Sequence, residues 1–225
     1  MILTITNQKG GAGKTTLALN IAAEWAAQGA RVKLIDMDKQ HSALDWLETR
    51  DELGHPPLFD LEGYPTPNLH KHIHNKAQGF DHVIIDVPPQ VDALAKSAMA
   101  CADLVIVPVK PSPPDIWAAA STIDLLHDAS VLFEDLDYRF CMTQKLTSAA
   151  IGRDARRALE EYEEVDMLNQ TIGYRVDFMY AFGQGQGVGE YAPLSKAHVE
   201  IKRLVKEIDA WFEAHRARHA LSEAS

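Results

Sequence analysis

The chain has 225 residues, of which 46% are hydrophobic and 24% charged, and its formal net charge at pH 7 is -10. Its length supports one sizeable core, and its composition is typical of a folded globular protein, which excludes a disordered chain. Nucleic-acid binding depends on neutralising phosphates, so the negative net charge excludes a protein that binds DNA over its whole surface. Any contact with DNA must come from a local basic patch. The two cysteines, Cys101 and Cys141, are too few and too isolated for a disulfide framework or a zinc site.

The first residues read directly into an apolar strand, without the basic segment, apolar segment and cleavage site of a secretory leader. No apolar run approaches the roughly 20 residues that span a bilayer. We therefore expect a cytoplasmic protein that has no membrane partner, since an amphipathic helix is the only membrane-binding element that remains possible.

Short apolar runs alternate with helical patterns along the chain, which predicts βαβ units on a mostly parallel sheet. Strands are expected at 2–6, 32–35, 82–85, 104–107 and 139–143. Helices are expected at 15–28, 41–50, 91–101, 115–129, 149–162 and 195–218. With no repeat and no low-complexity segment, the prediction is one α/β domain over residues 1–225 whose twisted sheet carries helices on both faces.

A glycine-rich loop stands between the first strand and the first helix. Its sequence is Lys9-Gly10-Gly11-Ala12-Gly13-Lys14-Thr15-Thr16. Glycines allow successive N–H groups to turn toward phosphate, the helix adds its positive end, and Lys14 supplies a cation for the β- and γ-phosphates. Thr15 offers its hydroxyl to Mg²⁺. The common pattern requires Gly where this chain has Gln8, so the loop is a deviant P-loop.

Carboxylates follow two of the predicted strands. Asp36 and Asp38 end one strand, and Asp86, followed by two prolines, ends another. Open α/β sheets bind ligands at the carboxyl ends of their strands, and the spacing of Asp36 and Asp38 lets both approach one metal-phosphate centre. Each aspartate taken alone is also compatible with a capping role at a strand end. Three motifs in this order favour a nucleotide site.

These motifs together resemble the deviant Walker A family of ParA, MinD and the nitrogenase iron protein. The likeness is strongest in residues 7–16 and continues through 36–38, 86–89 and 104–113, so it covers most of the chain. Small plasmid or chromosome partition ParA proteins without an N-terminal DNA-binding domain are the most similar members. The resemblance implies a P-loop NTPase fold and a slow, partner-stimulated ATPase that uses ATP and Mg²⁺. Lys39 departs from the family, which usually has Pro there.

The resemblance also implies a role for each site residue. Lys9 would reach the ATP phosphates of a second subunit, so that homodimerisation depends on ATP; the alternative is a solvated loop lysine. Asp38 would orient the attacking water, and Lys9, Lys14 and Asp38 are the expected catalytic residues. The expected metal ligands, direct or through water, are Thr15, Asp36 and Asp86. The expected nucleotide-binding residues are Lys9, Gly10, Gly11, Ala12, Gly13, Lys14, Thr15, Thr16, Thr143 and Gln144, with the base also near 175–178.

The function implied by the resemblance is segregation or positioning of plasmid or chromosomal DNA, or of another large cargo, with a ParB-like or small centromere-binding adaptor. The ATP-bound form would associate with the nucleoid through basic residues of the last helix. The candidates are Lys202, Arg203, Lys206, Arg216 and Arg218, with Lys196 near them. The alternative is the solvated face of an ordinary amphipathic helix.

A second function class remains open: an assembly or metabolic enzyme on the same scaffold, such as a metal-cluster carrier or a dethiobiotin-synthetase-like ligase. Cys101 and Cys141 lack the close pairing that a cluster carrier needs.

Three further patterns favour structural explanations over sites. No strand leads into the glycine-rich segment 183–189, which predicts a mobile loop, near the nucleotide or a partner surface, rather than a dinucleotide site. The alternating histidines His70, His72 and His74 indicate an exposed helix more than a metal centre. The last helix has an apolar stripe at helical spacing, which predicts core packing rather than membrane binding. The stripe consists of Ile201, Leu204, Val205, Ile208, Trp211 and Phe212.

Overall fold

The computed structural model describes residues 1–133, 136–145, 149–162 and 165–223. The strands are β1 (Ile2–Ile5), β2 (Val32–Asp36), β3 (Asp60–Gly63), β4 (His82–Asp86), β5 (Leu104–Val109) and β6 (Asp137–Met142). The helices are α1 (Lys14–Ala27), α2 (Ser42–Glu52), α3 (Leu69–Ala77), α4 (Asp92–Met99), α5 (Pro113–Leu132), α6 (Ala149–Glu160), α7 (Val176–Gly183), α8 (Val188–Tyr191) and α9 (Lys196–Glu223). Each predicted strand and helix is present, with ends that differ by a few residues.

The strands form one sheet in the order β3-β2-β4-β1-β5-β6, and every pairing is parallel. This confirms the predicted fold class. The chain moves from β1 outward to β2 on one side of the sheet, and later crosses β1 to reach β5 on the other. A crevice forms at the carboxyl ends of strands on either side of such a reversal, and this edge carries the loops that the sequence marks as functional.

Both faces of the sheet are buried. Along β5, Leu104 and Ile106 belong to the core on one face, and Val105 and Val107 to the core on the other. Helices α1, α2, α7, α8 and α9 cover the first face, and α3, α4, α5 and α6 cover the second. A strand that is buried on both sides needs apolar residues at successive positions, which explains the continuous apolar runs in the sequence.

The apolar stripe of α9 is part of the core, as predicted. Ile201, Leu204, Val205 and Ile208 are fully buried in the first core, and Trp211 packs against them while partly exposed. The Trp25 indole of α1 donates a hydrogen bond to Asp209 Oδ1 at 2.9 Å, which fixes the two helices to each other.

The glycine-rich segment 183–189 connects α7 to α8 and packs against α2. Gly185 has φ +59°, and a Cβ there would lie 2.4 Å from the backbone N and Cα of Arg50. The buried Arg50 guanidinium donates to the Gly185 carbonyl at 2.8 Å and pairs with Glu190 at 2.9 Å. The Trp46 indole donates to the Gln186 carbonyl at 3.3 Å. These contacts anchor a segment that the sequence suggested would move freely.

Candidate nucleotide site

The phosphate loop, residues 6–13, leaves β1 and enters α1 at the carboxyl edge of the sheet. Asn7 holds it in place, since its amide donates to the Pro108 carbonyl at 2.7 Å and its Oδ1 accepts the Lys9 N–H at 2.9 Å. Gly11 and Gly13 have φ of +72° and +87°, which residues with side chains adopt only under strain. Gly13 caps α1 without a side chain, so the first N–H groups of the helix remain available to an anion.

Lys14 is enclosed by its own loop. The side chain is almost fully buried, and Nζ donates to the Asn7 carbonyl at 3.2 Å and to the Lys9 carbonyl at 3.3 Å. Burial lowers the pKa of this amine, while the nearby carboxylates of Asp86 and Asp38 act in the opposite direction. A cation held this way has no competing ion pair among the described residues, so its charge is available to a bound anion.

Thr15 and Asp86 form a pair of oxygen ligands at the base of the loop. Thr15 Oγ1 donates to Asp86 Oδ2 at 2.6 Å, whereas the buried Asp86 Oδ1 finds no hydrogen-bond partner in the described part of the chain. Burial raises the pKa of Asp86 to about 7. A hydroxyl beside an unsatisfied buried carboxylate oxygen fits a hard divalent cation such as Mg²⁺, which prefers oxygen ligands and would neutralise the carboxylate.

Asp36 and Asp38 shape the loop that follows β2. The fully buried Asp36 accepts the Asp38 N–H at 2.8 Å on Oδ1 and the Ala43 N–H at 3.2 Å on Oδ2, and burial raises its pKa. Asp38 is partly exposed, and its Oδ1 accepts the Gln40 N–H at 2.9 Å. Asp36 thus holds the backbone of this loop in place, and Asp38 lines the cavity described next. The metal-shell role expected for Asp36 stays a prediction.

A cavity of about 330 Å³ brings the predicted phosphate residues together. Asp38 and Ser42 face the phosphate loop across it, and Pro89 and Phe182 close its sides. The loop residues that line it are Gly10, Gly11, Gly13, Lys14, Thr15 and Thr16. Sequence reasoning did not single out Ser42 or Phe182, because neither belongs to a spaced motif.

Lys9 points away from this cavity. Its Nζ lies 3.0 Å from Asp115 Oδ1 at the start of α5, with the lysine side chain one-third exposed and the aspartate side chain 10% exposed. The Ser112 hydroxyl donates to the second oxygen of Asp115. Lys9 therefore makes an ion pair within its own chain, and the structure does not place it on phosphates of that chain.

A second cavity of about 240 Å³ adjoins the loop on the side of β6 and α9. Thr143 Oγ1 donates to the Ala12 carbonyl and Gln144 Nε2 donates to the Gly11 carbonyl, both at 2.9 Å. The predicted base residues Thr143, Gln144, Arg175 and Phe178 all line it. Further lining residues, which sequence reasoning missed, are Leu17, Ile172, Gly173, Tyr174, Met179 and Ile201. Its mostly apolar wall suits a flat heterocyclic base.

The loops at this edge contain the non-glycine residues with positive φ in the described chain. They are His41 at 58°, Gln90 at 57° and Gln144 at 50°. Each follows a different strand, β2, β4 and β6 respectively, so all three lie at the carboxyl edge of the sheet, and Gln144 also lines the second cavity.

The basic candidates on α9 are all exposed, and they are Lys202, Arg203, Lys206, Arg216 and Arg218. Three acidic residues of the same helix are instead engaged with the body of the protein. Glu200 accepts the Gly173 N–H at 2.9 Å, Glu207 accepts the Asn169 N–H at 2.7 Å, and Asp209 accepts the Trp25 indole N–H at 2.9 Å. This leaves a basic strip of Lys202, Arg203 and Lys206 opposite the buried stripe of α9, with the exposed Glu213 two helical turns after Lys206 on the same side.

The three predicted histidines lie on α3, where His70 Nδ1 is 3.0 Å from Ser97 Oγ and His72 packs edge-on against Tyr64. Among the described residues, no group of three or more His, Cys, Asp or Glu side chains that could hold a metal ion is found. None of the described helices combines the length and the apolar composition needed to cross a membrane.

The chain is similar in sequence to a known family of nucleotide-binding domains. The sequence profile of the CobQ/CobB/MinD/ParA nucleotide binding domain matches residues 3–188. The chain is 29% identical, over 212 residues, to the maintenance of carboxysome distribution protein A of Halothiobacillus neapolitanus, covering 92% of this chain and 95% of that protein. It is 28% identical, over 242 residues, to the chromosome-partitioning ATPase Soj of Thermus thermophilus, covering 92% and 95%.

Among solved structures, the fold resembles that of the septum site-determining protein MinD of Pyrococcus horikoshii, which is complexed with Mg-ADP. The TM-score is 0.72 at 18% identity, and the match covers 95% of this chain and 98% of that one. At this identity the likeness establishes the shared fold.

Proposed function

This chain belongs to the CobQ/CobB/MinD/ParA family of nucleotide-binding domains, and from that premise we propose that it is a ParA-type switch whose ATP-dependent homodimer positions a large cargo. The chain is an ATPase of the MinD/ParA type. One observation carries the proposal: the phosphate cavity joins a deviant P-loop, the Thr15–Asp86 pair and Asp38, while Lys9 stays outside it.

Each of these side chains has a task that its position supports. Bound ATP with Mg²⁺ supplies the transferable phosphoryl group and the charge that stabilises its transfer. Lys14 and the loop N–H groups would hold the β- and γ-phosphates, and Thr15 and Asp86 would hold the cation. Asp38, which lines the cavity opposite the loop, would orient the attacking water. Lys9 is left to contact the nucleotide of the second subunit.

The cargo class follows from the relatives, one of which is named for carboxysome distribution and another for chromosome partitioning. We infer a large assembly of either kind, recognised through an adaptor that is ParB-like in role and that stimulates hydrolysis. Cluster carriage is disfavoured because Cys141 is buried in the core on one face of the sheet and Cys101 packs against the core on the other, so the two thiols do not form a pair.

Light scattering and phosphate release test the switch. With ATP and Mg²⁺ the wild-type protein should become a dimer, Lys9→Ala should bind nucleotide but stay monomeric, and Asp38→Ala should form a dimer that persists. Lys39→Ala, which changes an exposed lysine of the neighbouring loop, is the control and should behave as wild type. Hydrolysis should be slow, well below the enzyme median of about 10 per second. A normal dimer of Lys9→Ala would remove the inter-subunit role, and undiminished hydrolysis by Asp38→Ala would remove the catalytic one.

We further propose that the ATP-bound dimer associates with the nucleoid by binding DNA without sequence preference through the basic strip of α9. The support is that Lys202, Arg203 and Lys206 face solvent, whereas Glu200 and Glu207 accept hydrogen bonds from the body of the protein. The exposed Glu213 is the acidic residue of α9 that opposes this strip. Dimerisation doubles the number of phosphate contacts, which steepens the salt dependence and raises affinity.

A gel-shift assay at low and moderate salt, with ATP or ADP, tests this interface. Arg203→Glu should weaken ATP-dependent binding and reduce the salt slope by about one unit for each DNA phosphate that is no longer neutralised. Lys71→Glu, at an exposed position of α3 on the other face of the sheet, is the matched control. If wild-type protein with ATP shows no DNA shift at low salt, the cargo is moved over some surface other than DNA.

A further inference from the structure

Helix α7 borders both cavities of the candidate nucleotide site. Phe178 and Met179 line the second cavity, which suits the base, and Phe182 closes one side of the phosphate cavity. Phe178 and Phe182 are four residues apart, so they lie on the same side of the helix. Asp38 lines the phosphate cavity together with Phe182. The position of α7 therefore affects the wall of the base cavity and the space beside Asp38 at the same time.

Helix α2 is attached to the phosphate site at its first turn. Ser42 lines the phosphate cavity, and the Ala43 N–H donates to Asp36 at 3.2 Å. The helix follows directly on the loop of Asp38, whose own N–H donates to Asp36 at 2.8 Å. Because the loop and the helix share this anchor, a displacement of α2 changes the loop that carries Asp38.

Arg50, near the other end of α2, joins this helix to the segment that follows α7. Its side chain is 1% exposed, and its guanidinium donates to the carbonyls of Pro56 at 2.7 Å and Gly185 at 2.8 Å. Both carboxylate oxygens of Glu190 accept from the same guanidinium, at 2.9 and 3.0 Å. A two-pronged contact between arginine and a carboxylate fixes orientation as well as distance.

The segment between α7 and α8 is packed too closely to absorb a movement of α7. A Cβ at Gly185 would lie 2.4 Å from the Arg50 backbone, and a Cβ at Gly187 would lie 2.5 Å from the Ala23 Cβ of α1. Glu190 also accepts the Gly187 N–H at 3.0 Å, so the carboxylate that holds Arg50 holds this segment as well. A shift of α7 is therefore passed to α2 through Arg50.

Stability alone does not account for an ion pair at this place. Apolar residues of similar volume often stabilise a buried position as well as an ion pair does. Trp46, whose ring centre is 5.6 Å from the Arg50 guanidinium carbon, and Phe59, stacked on Trp46, already supply apolar packing there. The ion pair adds a fixed direction between α2 and the segment after α7, which apolar contacts do not provide.

We propose that Arg50, held by Glu190, is a positioning residue that couples the base cavity to the loop of Asp38. A purine that fills the base cavity sets the position of α7, and the Arg50–Glu190 pair passes that position to α2 and so to Asp38. The base of the bound nucleotide thus controls the rate of hydrolysis more than the affinity. This last step rests on the proposed role of Asp38 in hydrolysis, whereas the coupling of cavity and loop stands on the contacts of Arg50.

Hydrogen exchange tests the coupling without hydrolysis. With Mg²⁺ present, saturating ADP fills both cavities, whereas pyrophosphate fills only the phosphate cavity. In the wild type, ADP should slow exchange of the N–H groups of residues 38–46 about fivefold more than pyrophosphate does, the low end of the range for coupled sites. In Glu190→Gln this difference should disappear, because the neutral amide offers the guanidinium a single acceptor oxygen.

A second glutamate–arginine pair provides the matched control. Glu160 of α6 accepts from Arg156 at 2.7 Å on the other face of the sheet. Glu160→Gln makes the same chemical change away from both cavities, so it should keep the difference between ADP and pyrophosphate. Loss of that difference in Glu160→Gln, or its persistence in Glu190→Gln, would overturn the coupling.

Steady-state kinetics with ATP gives the second readout. Arg50→Lys keeps the charge but loses the two-pronged contact, and Glu190→Gln, at a side chain that is 30% exposed, tests the same pair if Arg50→Lys does not fold. Both variants should lower kcat about fivefold or more and change KM less than about twofold, because neither residue lines a cavity. A KM that rises in step with the fall in kcat would overturn the proposal. If Asp38→Ala hydrolyses ATP at the wild-type rate, the proposed role of Asp38 fails, while the exchange comparison still decides the coupling.

Discussion

The two halves of the candidate nucleotide site, one for phosphates and one for the base, are built in different ways. The phosphate half is nearly continuous in sequence, formed by residues 6–16 with the ends of two neighbouring strands, and it is polar, with Lys14 and Asp86 buried in it. The base half collects side chains from segments as distant as Leu17, Thr143 and Ile201, and its wall is mostly apolar. In the phosphate half, a short motif with fixed spacing positions the charged groups. In the base half, tertiary packing determines the shape of the cavity.

Helices α2 and α7 connect the phosphate half to the base half, and we call their contact the joint. Helix α2 begins beside the loop that contains Asp38, and α7 carries Phe178 and Met179 into the base cavity. Arg50 ties the far end of α2 to the turn after α7. Three substitutions separate the contributions of the joint and of the two halves.

The largest effect is expected at the joint, with Gly185→Ala. A methyl group there meets the Arg50 backbone at 2.4 Å in a left-handed conformation, so the helices must separate. We expect the free energy of unfolding to fall by about 2–4 kcal/mol, measured by urea denaturation. Gly183→Ala is the control, because a Cβ at Gly183 meets nothing within 4 Å and should leave stability nearly unchanged. Equal stability of the two variants would mean that the joint does not constrain the halves.

In the phosphate half, Lys14→Ala should weaken ATP binding at least about tenfold, or about 1.4 kcal/mol, since the loop loses its enclosed cation. Calorimetric titration with ATP measures the change, with Lys39→Ala as the comparison because its side chain is exposed. Wild-type affinity in Lys14→Ala would end the assignment of the loop to phosphate binding.

In the base half, Met179→Ala should have the smallest effect, about threefold weaker binding, or about 0.6 kcal/mol, shared equally by ATP and ADP. Met179 is 53% exposed, so only part of its side chain contacts a base. Tyr180→Ala, on the same helix but outside the cavity lining, should leave affinity unchanged. If Met179→Ala changed the ratio of the ATP affinity to the ADP affinity, the division into a phosphate half and a base half would be contradicted.

The same contrast explains what could be predicted from the sequence. The phosphate half was predictable because glycine, lysine and threonine at fixed spacing between a strand and a helix have few structural solutions. Of the base half, Thr143, Gln144 and the segment near Arg175 came from the family resemblance rather than from a local pattern. Ile201 was predicted as a core residue, because an apolar stripe does not indicate which of its members also borders a cavity.

The sequence did not predict strand β3 or helices α7 and α8, and the reasons are physical. Strand β3 is a four-residue edge strand in which Asp60 and Glu62 pair with Lys33 of β2 at 3.6 and 3.1 Å, so cross-strand charge replaces the apolar alternation by which strands are recognised. Helices α7 and α8 are short and separated by glycines, so their propensity alone predicts a loop. Tertiary contacts with Arg50 and Trp46 make this region regular.

Three residues at the carboxyl edge of the sheet have a backbone conformation that their side chains disfavour: His41, Gln90 and Gln144. Each left-handed residue costs roughly 1 kcal/mol, so the folded protein holds conformational strain in the three loops that follow β2, β4 and β6. Glycine adopts this conformation without that cost, so these three positions are places where the chain gives up stability at the edge that carries the candidate site.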